Sequence, residues 1–138
     1  MNKKDLVMFL CLQACAVVVA GGSFALIEDR LWAGALAGSY FVLSGLFMVT
    51  RAVQWNDVWR SFCWYPLIAH VFGISIPMMV TRFAQAGLHF ENVKILGLEG
   101  PAFHRLSTVI FGALVLGTLI DLARTWRATN VTRESVGS

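Results

Sequence analysis

The sequence reads as an all-α protein of the membrane, an integral four-helix bundle of two antiparallel helical hairpins. Three observations carry that reading. Hydrophobic residues make up 57% of the 138 residues and charged residues only 14%, where a water-soluble domain carries about 25% charged residues. The apolar residues gather into four runs, each long enough to cross a hydrocarbon core roughly 30 Å thick. The Lys and Arg residues fall between and beyond these runs. Such a composition excludes a disordered chain, a disulfide-rich secreted scaffold and an ordinary water-soluble enzyme.

The first run spans about 6–27 without a charge, which is about 33 Å of helix. It has the features of a signal peptide, but its apolar stretch exceeds the usual length of one. Glu28-Asp29-Arg30 follows, and so short a turn forces an antiparallel hairpin with the second run, about 31–50. The third run, about 62–80, contains Pro66 and Pro77. The fourth, about 104–123, is preceded by Gly100-Pro101, a helix-starting pair. Residues 1–124 thus make one transmembrane domain, and 125–138 a polar, frayed tail. The apolar residues of the 81–105 connection predict that it folds onto the helices, the outer leaflet or a partner. Phe83-Ala84-Gln85-Ala86 extends the third helix in this reading.

Cytoplasmic segments gather Lys and Arg. With the N-terminus inside, Lys3, Lys4, Arg51, Arg60, Arg124, Arg127 and Arg133 lie inside, against Arg30, Arg82, Lys94 and Arg105 outside. The expected placement is therefore the cell membrane, multi-pass, with both termini cytoplasmic. Trp55, Trp59, Trp64, Tyr65 and Trp126 would then form an aromatic belt at the inner interface. Trp55, Trp59 and Phe62 share a face if 51–62 is a surface helix.

Helices in lipid associate through close packing and polar contacts. Gly34, Gly38 and Gly45 share one face of the second span and predict a helix-packing surface, within the chain or between copies. The matching face of the first span would be Cys11, Ala14, Val18, Gly21 and Ala25, with Cys11 and Cys15 as small buried residues. On the third span Pro66, His70, Gly73 and Pro77 align, and Pro77 should kink the helix by removing a donor to the Gly73 carbonyl.

Polar side chains at depth need partners. Counted from the inner ends, Gln13, Tyr40, Ser44, His70 and Thr118 fall in one intramembrane layer, expected to share a hydrogen-bonded network. Asp121 reads as an interfacial ion pair with Arg124 that ends the fourth span.

No catalytic signature occurs: GxSxG, HExxH, Walker-type and CxxC patterns are missing from the sequence. No metal site, cofactor or nucleic-acid partner is expected; the expected partners are the lipid bilayer and other membrane subunits, or a second copy. The expected function is a non-enzymatic subunit, assembly factor or regulator of a membrane complex. A small oligomeric transporter or channel with its polar centre at His70 and Gln13 is the alternative, and a haem-binding redox subunit using His70 is a third.

Overall fold

The computed structural model describes residues 2–85 and 88–136, with side chains through 128. The chain is all-helical apart from one small hairpin, an arrangement consistent with a helical bundle. Among the described residues, four helices are long and apolar enough to cross a membrane. We number them α1 (Lys3–Leu26), α2 (Arg30–Ala52), α3 (Trp64–Ala84) and α4 (Gly100–Val136).

Each start has a local cause. The Asn2 side chain accepts from the Lys4 N–H at 3.0 Å at the head of α1. The Asp29 carboxylate accepts from the Leu31 and Trp32 N–H groups at the head of α2. Both are caps of orphan first-turn donors. Helix α3 ends at Ala84, so the expected extension reaches that residue, while Ala86 lies outside the described residues. Helix α4 does not stop near 123. No Pro or Gly interrupts 118–136, and the helix continues to Val136; residues 137–138 of the expected tail lie outside the described residues.

The packing faces differ from the expected ones. On α1 the buried residues are Asp5, Leu6, Phe9, Gln13, Ala16 and Ser23. Cys11, Cys15 and the rest of the small-residue face point outward. The polar Gln13 and the bulky Phe9 decide which side turns inward, because apolar surroundings cannot satisfy an amide. On α2, Ala33 and Ala37 are buried, whereas Gly34 and Gly38 are only partly covered. Close approach occurs at Gly45, where a Cβ would lie 2.5 Å from Val71 Cγ2.

Helix α3 is interrupted by a wider π-helical stretch, Ala69–Ser75, immediately before Pro77. Its turns bond five residues apart, as in Ile76 N–H to the Val71 carbonyl. In that register the donor Pro77 lacks falls opposite Phe72 rather than Gly73. The extra residue per turn also rotates the expected row out of line: His70 is buried, while Gly73 is exposed.

Residues 53–63 form no long surface helix, only a 3₁₀ turn at Val58–Arg60. Trp55 therefore leaves the face shared with Trp59 and Phe62. It is buried, stacks on Phe9 at 5.4 Å and donates to Asp5, while Trp59 and Phe62 are exposed. At the other end, residues 88–99 fold onto the helices, as the apolar content predicts. A two-residue hairpin pairs β1 (Lys94–Ile95) with β2 (Leu98–Glu99) in antiparallel register. Leu96 and Gly97 make its turn with φ of 51° and 84°, as a tight hairpin requires. Val93 and Ile95 are buried against Ile74 and Phe103. We call this the distal end, and the end bearing both termini the proximal end.

Candidate functional site

The polar side chains between the helices form the candidate site. Gln13 on α1 and Thr118 on α4 are both buried and bonded, Nε2 to Oγ1 at 3.0 Å. Thr118 donates its one proton to the Leu114 carbonyl at 2.8 Å. It can therefore only accept from Gln13, so the amide nitrogen must point toward it. Gln13 Oε1 is then left as a buried acceptor without a protein donor. Tyr40 on α2 reaches the neighbouring Leu12 carbonyl at 3.4 Å. Ser44 bonds back to the Tyr40 carbonyl of its own helix at 2.6 Å, the usual local alternative for serine.

His70 stands apart from this group. Its Nδ1 lies 3.2 Å from Ser75 Oγ, one wide turn along α3. Its ring sits between Phe41 and Phe111, with centroids 5.5 and 5.4 Å away. On α4, Phe111 precedes Thr118 by seven residues, about 10 Å along that helix. The expected single network is thus seen as two separate hydrogen-bonded pairs, Gln13 with Thr118 and His70 with Ser75, with Tyr40 bonded to the Leu12 carbonyl beside the first.

The cause of the offset lies at the start of α3. Counting from Phe62 as the inner boundary places His70 level with Gln13. In the fold, the Phe62–Cys63 turn instead packs against Gly117 of α4, one residue from Thr118. A Cβ at 117 would come within 2.7 Å of the Phe62 carbonyl oxygen, so the backbone approach requires glycine there. Helix α3 consequently begins level with Thr118, and everything on it is carried inward.

Asp121 holds this junction. Its side chain is fully buried, and Oδ2 accepts from Ser61 Oγ at 2.5 Å and from the Cys63 N–H at 2.9 Å. A carboxylate from α4 thereby caps the N-terminus of α3, a favourable place for negative charge. The expected ion pair with Arg124 is also present, 3.9 Å from Oδ1. Its guanidinium lies over the Phe62 ring at 5.2 Å and 3.4 Å from the Arg60 carbonyl. Burial, with the Asp121 carboxylate also beside it, pushes the Cys63 thiol up to about 12, so this cysteine stays protonated.

A second cluster, centred on Asp5, is absent from the sequence reading. Asp5 accepts from Arg51 at 2.8 Å and from the Trp55 indole N–H at 3.0 Å. Its signal was present: Asp5, Phe9 and Gln13 repeat every four residues, so the carboxylate shares the inward face of Gln13. Gly117 and Asp121 carry the same four-residue signal on α4. Among the described residues no group of three or more His, Cys, Asp or Glu is placed to hold a metal ion.

Comparison with known proteins finds no match to any family model, any curated protein or any solved structure.

Proposed function

We propose that the protein is a four-span membrane protein of the cell membrane, two antiparallel hairpins with both termini cytoplasmic. In this reading it is a non-enzymatic subunit, assembly factor or regulator of a membrane complex. One observation supports the reading above the others. Buried polar groups pair locally, Gln13 with Thr118 and His70 with Ser75, with Phe41 and Phe111 packed around the histidine. The first pair ties α1 to α4, as interhelical hydrogen bonds in lipid do, and the second stays within α3. A relay or a pore would favour polar groups linked in a continuous chain, and among the described residues no hydrogen bond joins these two pairs. Large apolar side chains such as Leu43, Val109 and Leu116 meanwhile face outward, available to lipid and to neighbouring helices.

Pull-down of the tagged full chain from gently solubilised membranes, followed by mass spectrometry, tests the reading. A membrane partner recovered in fixed proportion is expected. Recovery of this chain alone, across several mild detergents, counts against it. Protease protection of tags placed at each terminus tests the topology, with both tags expected on the cytoplasmic side.

A further inference from the structure

An apolar groove of about 380 Å³ opens between α2 and α3, lined by Val42, Ile76, Met79, Val80 and Phe83. A second, much smaller hollow of about 10 Å³ adjoins it, sharing Met79 and Phe83 and lined also by Leu31, Gly34, Ala35 and Arg82. Both glycines on this side leave room: a Cβ at Gly34 or Gly38 would approach no side chain more closely than 3.9 Å. Toward the proximal end the two helices close at Gly45 and Val71.

The length of the groove selects among occupants. From Leu31 to Val42 is eleven residues, or about 16 Å of helix. Half of a hydrocarbon core about 30 Å thick is nearly the same. A transmembrane helix from a partner needs a seam across both leaflets, and the Gly45–Val71 contact blocks the second half. One lipid chain from one leaflet needs only the open half.

The groove's mouth selects the headgroup. Arg82 donates to the Leu88 carbonyl at 3.2 Å and lies over the Phe90 ring at 5.6 Å. Neither ion pair among the described residues involves it. A guanidinium carries five N–H donors and matches a phosphate through two at once.

We propose that this groove holds one acyl chain of a phospholipid from the distal leaflet, with the lipid phosphate against Arg82. The proposal rests on the membrane placement proposed above and is independent of any protein partner.

Native mass spectrometry of the full chain tests it, with membranes washed in alkaline carbonate before extraction into mild detergent. The probes are palmitoyl-oleoyl phosphatidylglycerol and palmitoyl-oleoylglycerol, which has the same chains without phosphate. Wild type should retain one phosphatidylglycerol. Arg82→Gln should weaken that binding roughly tenfold and leave the diacylglycerol unaffected, as loss of a charged pairing predicts. Val42→Trp, which fills the groove, should weaken both. Equal binding of phosphatidylglycerol by wild type and both variants overturns the proposal. So does a dimer that Val42→Trp abolishes while lipid stays bound, which assigns the groove to a second copy. Release of the protein by the carbonate wash would sink the membrane placement itself, a different failure. Arg82 lies at the groove's end, so its variant remains informative if Val42→Trp does not fold.

Discussion

Removing the Asp121 carboxylate leaves the Ser61 hydroxyl and the Cys63 N–H buried without their acceptor. Each such orphan costs about 1–3 kcal/mol, and the lost cap of α3 is part of that cost. Asp121→Ala should therefore lower unfolding stability in detergent by about 2–6 kcal/mol. Asp121→Asn keeps an oxygen acceptor and should lose less. Equal stability of the alanine variant and wild type would show that the junction does not depend on this carboxylate. The residue type was legible, since a carboxylate beside an apolar run demands a partner. One partner was too: Arg124 is three residues away, found by spacing, and forms the ion pair. The hydrogen-bonding partner Ser61 was not, being 60 residues distant and reached only through the tertiary fold.

Among elements, α2 separates motif from contact. Gly34, Gly38 and Gly45 share a face, yet they are not equivalent in the fold. A methyl group at Gly45 meets Val71 at 2.5 Å, while one at Gly38 reaches only ordinary distance from Met79. Gly45→Ala should thus destabilise by about 1–3 kcal/mol through overpacking. Gly38→Ala should be neutral or slightly stabilising, because alanine favours helix. Unfolding of both variants in the same detergent compares them directly, and equal losses would contradict the packing. Spacing identified the face but cannot say where along it the neighbouring helix closes in. The same limit applies to α3. Pro77 announced a disturbance, and the wide turn at Ala69–Ser75 is how the helix accommodates it. Its effect on which residues turn inward depends on a register shift that sequence spacing does not carry.

At the scale of the whole molecule, the four apolar helices and the short first turn were readable, because length and composition decide them. The relative heights of the helices were not. Taking each apolar run to begin at a common boundary assumes that all helices start level, and α3 starts beside Gly117 of α4 instead. His70 accordingly bonds Ser75 of its own helix, and Gln13 bonds Thr118 of α4. The face of α1 was misread for a related reason: small residues mark where a helix can approach another, whereas Asp5 and Gln13 mark where it must.

The cap on α3 comes from a residue that leaves the ribosome nearly sixty positions later than the turn it completes. During synthesis the third helix must wait, its first N–H groups unserved, until the last helix has emerged and folded back. Nascent chains arrested before Asp121 should leave the Ser61–Cys63 turn open to proteases or thiol reagents, and chains arrested well beyond it should shield the same turn. Equal shielding at both lengths would show that the second hairpin completes itself without its closing helix.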